Sequence, residues 1–289
     1  MPELPEVETV CRSLEPLIAG KTVTGVQVYL PQIVHYPSQD VFVQTVISGV
    51  FQTIERRGKY ILLNFKSTKL SAMQTLLVHL RMTGKLLYVP AKEPVGKHTH
   101  LVLTLDDGYT LRYDDVRKFG GVALHPHNLC AALPELAKLG PEPLGDAFTV
   151  QWLKEKMTGK KQKAKAFLLD QRNIAGIGNI YADEILFQAH IHPEEPVCNL
   201  TDDETVTLLW YAIRDRLTQG IAHGGSSVKD YVDSQGNAGT FQQLHKAYGR
   251  SGKPCIECGC LMERIVSAGR SSCYCPNCQP RRENKNNFK

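Results

Sequence analysis

Two cysteine pairs, Cys255-x2-Cys258 and Cys275-x2-Cys278, constrain this chain more than any other feature. Each pair reads as a tight turn offering two thiolates, and sixteen residues separate the two turns. Tetrahedral zinc takes such a set, and the intervening LMERIVSAGRSS is suited to a small hairpin. Four thiolates leave no coordination position open, so one zinc per chain is expected to hold structure and not to activate water. Cys260 and Cys273 lie close to the cluster and make the ligand choice less unique. The repeated x2 pairs are preferred because each turn closes on one metal. Cys11 falls on an apolar stripe, and Cys130 and Cys198 lack sequence neighbours, so all three read as inert thiols. With nine cysteines, six of them between Cys255 and Cys278, a local metal site in a reducing compartment is favoured over a disulfide framework.

The rest of the composition narrows the class. At 289 residues and 42% hydrophobic content the chain can build a sizeable core, and it divides more naturally into two domains than one. That content and the lack of a glycine repeat exclude a disordered or collagen-like chain. No apolar run reaches eighteen residues and the opening MPELPEVE is acidic, so neither a membrane span nor a secretory signal is expected. The net charge is only +5, but it is unevenly placed. Lys154, Lys156, Lys160, Lys161, Lys163 and Lys165 crowd around the single Glu155, and Arg281, Arg282, Lys285 and Lys289 mark the end. Local clusters of this kind suit an acidic polymer, because affinity for nucleic acid follows local phosphate contacts. A solvated helix face and a frayed tail would give the same pattern.

Periodicity supplies the organisation. Leu4, Val7, Val10, Cys11, Leu14, Leu17 and Ile18 form one stripe of a helix over 4–19. Pro5 is tolerated in its first turn, Glu6 and Glu8 suit its dipole, and Gly20 ends it. Short strand-like runs follow at 22–29, 45–55, 60–65, 76–79, 85–89, 99–105, 109–113 and 121–124, with Asp106, Asp107 and Gly108 marking a hairpin turn. Many short strands without helices between them suggest a sandwich. The Pro- and Gly-rich stretch 134–145 is the best boundary, and helices are expected at 147–157, 163–169, 179–188 and 202–219. Residues 222–240 carry glycines and little apolar periodicity, which marks a long functional loop.

MPELPEVETV at the start, RRGKY at 56–60, GIGNIYADE at 176–184 and the terminal cysteine module together closely resemble bacterial formamidopyrimidine-DNA glycosylases, in order and spacing, over essentially the whole chain from Pro2 to Gln279. The resemblance implies an α+β multidomain fold: an N-terminal β-sandwich with flanking helices over 1–135 and a linker at 136–146. A helix–two-turns–helix domain follows over 147–249 and includes the 222–240 lesion-recognition loop, with a zinc hairpin at 250–280 and a basic tail at 281–289. DNA would lie in the cleft between the halves. The implied activity is release of 8-oxoguanine and formamidopyrimidines from duplex DNA, then strand cleavage by β,δ-elimination. Damaged double-stranded DNA is the implied partner; the expectation is a monomer with no membrane association and no obligate protein partner, in the bacterial cytoplasm at the nucleoid. A preference for oxidised pyrimidines and a noncatalytic zinc-dependent DNA-binding protein stay open as alternatives.

The family's site residues carry over onto matching positions. Pro2, after loss of Met1, is the implied nucleophile: its secondary amine attacks the anomeric sugar carbon, and an α-amino group titrates near neutral pH as attack requires. Glu3 is the implied proton donor and acceptor. Lys59 is implied as a proton donor and a lesion and phosphate contact on a β-hairpin. Lys165 and Asn179 match phosphate contacts, the latter at a glycine turn opening a helix. Lesion access requires base flipping, for which Met82 and Phe119 are the implied wedges and Arg117 the group facing the orphaned base. Arg270 in the zinc hairpin is implied for phosphate positioning and, as a further assignment, for proton donation in δ-elimination. Ser226, Ser227, Lys229 and Tyr231 are the loop residues that could meet the lesion.

Overall fold

The computed structural model describes residues 1–228 and 230–282, so Lys229 and the tail from 283 onward lie outside the described residues. Two compact units emerge, Met1–Lys138 with Gly220–Gln242, and Leu139–Gln219 with Gln243–Lys289. Residues 220–242 pack with the sandwich. The reason is a set of hydrogen bonds made across more than 200 residues of chain, given below.

In the first unit, α1 (Leu4–Ile18) buries Leu4, Val7, Val10, Cys11, Leu14 and Ile18, the expected stripe. After it come β1 (Val23–Val28), β2 (Val34–Tyr36), α2 (Gln39–Val46), β3 (Val50–Arg57), β4 (Tyr60–Ser67), β5 (Ala72–His79), β6 (Gly84–Pro90), β7 (Thr99–Leu105), β8 (Tyr109–Asp115) and β9 (Gly121–Pro126). They form a four-stranded sheet in the order β1-β7-β8-β6 and a five-stranded sheet in the order β2-β9-β5-β4-β3. Alternate residues of both sheets meet in one core with α1: Ile61, Leu63 and Phe65 from β4, Leu101, Leu103 and Leu105 from β7, Leu111 and Tyr113 from β8. Alternate side chains reach one core because successive residues of a strand point to opposite faces. The expected strand 45–55 begins too early, because Thr45 and Val46 close α2, which buries Phe42, Thr45 and Val46 at helical spacing. Its β-branched residues imitate a strand in sequence. The parallel partner of β9, β2, is only three residues long and carries no pattern that periodicity can detect.

A short helix, α3 (Pro134–Ala137), sits where a linker was expected. The second unit holds α4 (Val150–Met157), α5 (Ala164–Leu169) and α6 (Asn179–Gln188), then α7 (Asp203–Ala222), whose last turn enters the 220–242 segment. A two-stranded ribbon of β10 (Glu263–Ser267) and β11 (Arg270–Tyr274) completes it. Helix α6 is buried nearly all round, with Ile180 to Phe187 inaccessible, Asp183 and Glu184 included. A helix enclosed on every side is a central core element, so its two carboxylates must find partners within the protein.

Candidate active site and metal centre

Pro2 and Glu3 are buried at the entrance to α1, and Glu3 is its N-cap. Glu3 and Glu6 form a reciprocal capping box, in which the Glu3 N–H donates to Glu6 Oε2 at 2.8 Å. The helix therefore fixes the backbone one residue from the implied nucleophile. The next polar residue ties this helix to the hairpin between β3 and β4. Arg56 Nε donates to Glu8 Oε2 at 2.7 Å, and Arg56 also donates to the Gly58 carbonyl at 3.1 Å. Burial pushes the Glu8 carboxyl up, but Arg56 and Arg12 hold it below the usual range, so the pair stays ionised. Gly58 and Lys59 are the two loop residues, with Gly58 at φ +57, as a tight hairpin turn requires. Lys59 is buried and so is not an ordinary exposed strand charge.

Beside it stands a residue that sequence reasoning missed. Burial, with the Arg81 and Lys59 charges, lowers the His79 pKa to about 3, so the imidazole is neutral. Its Nδ1 accepts the Arg81 N–H at 2.9 Å, which leaves the proton on Nε2. A lone histidine closing a strand gives no such signal in sequence.

Met82, Arg117 and Phe119, the three residues expected at the gap left by a flipped base, do come together. Met82 and Phe119 are 44% and 55% exposed, the Arg117 guanidinium lies 4.5 Å from the Phe119 ring centre, and its Nη1 reaches Met82 Sδ at 2.9 Å. Exposed apolar side chains gathered around one cation are not a core. Their loops are organised by Asp115, also missed. This buried carboxylate accepts the Thr83 hydroxyl and the Arg117 N–H (3.1 Å) on Oδ1, and the Gly120 N–H (2.9 Å) on Oδ2. Acceptance from the residue two further on is an Asx-turn, so the D-x-R spacing could have revealed it. Gly120 is obligatory there, since a Cβ would fall 1.9 Å from the Tyr113 hydroxyl.

The glycine-rich segment is anchored to α1. Ser226 N–H donates to Glu6 Oε1 at 2.7 Å, the Tyr231 hydroxyl donates to the Glu6 carbonyl at 3.2 Å, and Ser234 Oγ donates to Ser13 Oγ at 2.7 Å. A Cβ on Gly225 would meet Glu6 at 2.8 Å, and one on Gly239 would meet the Gly225 carbonyl at 2.2 Å, so glycine permits the close approach. Ser227 braces the loop internally, donating to the Tyr231 carbonyl at 2.8 Å and accepting the Gly239 N–H at 2.9 Å. The Ser227 hydroxyl thus holds the loop's own shape, while the Tyr231 hydroxyl ties it to α1. Lys229 lies outside the described residues.

In the second unit the sulfurs of Cys255, Cys258, Cys275 and Cys278 all lie within 4.8 Å of one another. The contacts Cys255–Cys278 and Cys258–Cys275 are 3.9 and 3.4 Å, against sulfur–sulfur edges of about 3.8 Å in a tetrahedron with 2.3 Å zinc bonds. Backbone N–H groups point at the sulfurs, Glu257 at Cys255 (3.5 Å) and Cys278 at Cys275 (3.4 Å). The set fits one zinc ion. Cys260 and Cys273 are outside the cluster. Gln279 fastens the second knuckle, its Oε1 accepting the Cys275 N–H at 2.9 Å and its Nε2 donating to the Ile191 carbonyl at 2.8 Å.

The phosphate residues of this unit divide. Arg270 is exposed at the start of β11, and Asn179 opens α6 with its Nδ2 on the Ser271 carbonyl at 3.2 Å. Lys165 departs from expectation. Its side chain is 0% exposed, and its ammonium donates to Asp183 Oδ1 at 2.7 Å and to the Ser271 carbonyl at 2.9 Å. A buried cation must be paired, and here a carboxylate of the protein supplies the pair.

Matches to known proteins cover the chain in three parts. Residues 1–122 match the family model for the formamidopyrimidine-DNA glycosylase N-terminal domain, 139–232 that for its H2TH domain, and 252–281 the zinc finger found in FPG and IleRS. Formamidopyrimidine-DNA glycosylases of Desulforamulus reducens and Carboxydothermus hydrogenoformans are 45% and 46% identical to this chain over 96% of it, covering 99% and 100% of the relatives. Among solved structures, a Lactococcus lactis FPG variant with Fapy-dG-containing DNA superposes with a TM-score of 0.89 at 35% identity, covering 97% of this chain and all of that one. The Lactococcus lactis enzyme with abasic-site DNA gives 0.89 at 35%, covering 96% and 100%. The chain belongs to the formamidopyrimidine-DNA glycosylase family.

Proposed function

We propose that this chain performs the family's base-excision repair, releasing oxidised purines from duplex DNA and cleaving the abasic strand, with Pro2 as nucleophile and Glu3 as the proton-transfer group. One observation carries the residue assignment: Pro2 and Glu3 stand at the capped start of the helix that also ties down the Lys59 hairpin through Glu8 and Arg56. Once Met1 is removed, the secondary amine of Pro2 attacks the anomeric carbon as the bond to the base breaks, and cleavage of the C1′–O4′ bond with protonation of O4′ then opens the ring to an iminium. Glu3 moves protons on the opened sugar, and the Lys59 ammonium is a proton donor toward the lesion nucleotide and its phosphate. Met82 and Phe119 fill the space left by the flipped nucleotide, and Arg117 offers donors to the orphaned base. Ser226, Ser227 and Tyr231 hold the loop that would meet the lesion, where backbone amides do the reading, and Lys229 is a further candidate for lesion contact. Asn179 and Arg270 hold phosphates, with δ-elimination proton donation a further role for Arg270. The zinc, bound by Cys255, Cys258, Cys275 and Cys278, supplies structural order to the hairpin. A monomer acting in the bacterial cytoplasm at the nucleoid completes the proposal. Among the described residues no helix is long and apolar enough to cross a membrane.

A preference for oxidised pyrimidines is the second reading, supported by a similar Lactococcus lactis FPG structure with oxidised-pyrimidine-containing DNA (TM-score 0.88, 35% identity, covering 97% and 100%). Competition between duplexes carrying 8-oxoguanine and an oxidised pyrimidine tests both. Faster release of the purine with a doubly phosphorylated gap supports the proposal; faster pyrimidine release would favour the second reading. In the same assay Glu3→Gln should lose about 10²–10⁴-fold in turnover while keeping lesion binding. Equal loss of folding and binding would reduce Glu3 to a helix cap.

A further inference from the structure

The zinc hairpin has a mechanical weakness at the end that matters. Ala268 and Gly269, at φ +51 and +70, make a two-residue turn between β10 and β11, and Arg270 follows it at once. The metal knuckles lie at the opposite end of the ribbon. Arg270 lies five positions before Cys275, about 17 Å of extended chain. An isolated two-stranded ribbon is marginal in water, so zinc alone leaves the tip free to swing.

The helical core supplies a second fixing point. After Arg270, three consecutive residues are gripped by α5 and α6. The Ser271 carbonyl accepts from Lys165 Nζ at 2.9 Å and from Asn179 Nδ2 at 3.2 Å. Ser272 Oγ donates to Asp183 Oδ1 at 2.7 Å, and the Cys273 N–H donates to Asp183 Oδ2 at 3.1 Å. Asp183 receives Lys165 on the same oxygen at 2.7 Å, and both side chains are inaccessible to solvent. The carboxylate thus joins α5, α6 and β11 in one node.

We propose that Asp183 is a positioning residue for the DNA-facing tip of the zinc hairpin, and that Lys165 serves the reaction through this node instead of at a phosphate. The proposal rests on the phosphate role given to Arg270 above. Burial drives the Asp183 carboxyl upward against the pull of Lys165, Ser272 and Cys273, which is consistent with a group whose ionised form survives only through these contacts. The node fixes Arg270 through covalent neighbours, with no contact of its own to substrate.

The test is a double-mutant cycle on the zinc-loaded enzyme, reading affinity for a duplex with a tetrahydrofuran abasic analogue at several salt concentrations, with zinc content alongside. Arg270→Ala should lower the slope of log affinity against log salt by about 1, the signature of one lost phosphate contact. Asp183→Asn should reproduce that loss with zinc still at one per chain, and adding it to Arg270→Ala should cost nothing more. Should Asp183→Asn not fold, Lys165→Met with Asp183→Leu removes both buried charges together and must show the same non-additivity. Losses that multiply, or loss of zinc in Asp183→Asn, would overturn the proposal and leave Asp183 a fold residue or Lys165 a phosphate contact. If Arg270→Ala lowers the slope and Asp183→Asn does not, the positioning role alone falls. An unchanged slope in Arg270→Ala would instead remove the phosphate reading and the proposal with it.

Discussion

The zinc hairpin and the N-terminal helix both position functional groups to within hydrogen-bonding distance, but they assemble over very different lengths of chain. The metal's four ligands come from Cys255 to Cys278, and their contacts bridge 17 and 23 residues. The N-terminal site is closed by Glu6, whose carboxylate accepts one N–H from three residues away and another from 220 residues away. A metal centre can be specified locally because each knuckle is a turn and the ion does the joining. An amine site within a sandwich needs distant segments to arrive first. Disturbing the first should therefore stay local, and disturbing the second should be felt across its whole unit.

The largest expected effect is on the local side. Cys275→Ser should take zinc from one per chain to none and unfold the hairpin, since structural zinc binding is worth on the order of 10 kcal/mol in small zinc modules. Calorimetry should still show the sandwich unfolding at its parental temperature; a shift there would erase the contrast. On the distributed side, Glu6→Ala leaves the Glu3 and Ser226 N–H groups without their carboxylate, at about 1–3 kcal/mol for each buried donor. It should lower the unfolding temperature of the sandwich and speed amide exchange through 224–239 together. Exchange changes confined to α1 would show that the loop does not depend on Glu6.

Acid should also separate the units. Burial depresses His79 to about 3 in the sandwich and His245 to about 4 in the helical unit, from the ordinary 6.5. The folded state keeps each neutral while the unfolded chain takes up a proton, so their contribution is present above about pH 6.5 and lost as pH falls toward those values. Each loss is at most about 1.4 kcal/mol per pH unit. Asp183 and Glu184, raised by burial, titrate with the opposite sign in the helical unit. His79→Gln should therefore flatten the acid-side decline of the sandwich more visibly than His245→Gln does for its neighbour. Equal flattening would remove this distinction. The smallest effect on stability belongs to Met82→Ala with Phe119→Ala: both side chains are exposed, so unfolding should move by no more than about 0.5 kcal/mol per substitution. Release from duplex should nevertheless slow relative to cleavage at a preformed abasic site. A loss of several kcal/mol would return the pair to the core.

Legibility in the sequence follows the same contrast. The cysteine spacing, the α1 stripe and the alternating strands were readable because each is periodic over a few residues. Pro2, Lys59 and the wedge residues have no such pattern, and only the family resemblance pointed to them. What stayed hidden were buried carboxylates. Glu6 reads as an acid favoured by a helix dipole, and Asp183 and Glu184 read as polar positions on a helix. Their partners are Ser226, Lys165 with Ser272 and Cys273, and the N–H groups of Lys246, Ala247 and Tyr248. No local pattern encodes partners that tertiary folding brings in. The burial of Lys165 is hidden for that reason, since a lysine in a basic run looks solvated until its carboxylate is found.

The central claim is that the N-terminal amine does the chemistry. Intact mass should first show Met1 removed, leaving Pro2 as the terminus. Borohydride reduction during reaction with an 8-oxoguanine duplex, followed by peptide mapping, should then place the DNA adduct on the peptide that begins at Pro2. A dominant adduct on Lys59 or Lys165, or no adduct on a protein whose Pro2 amine is free, would contradict the account.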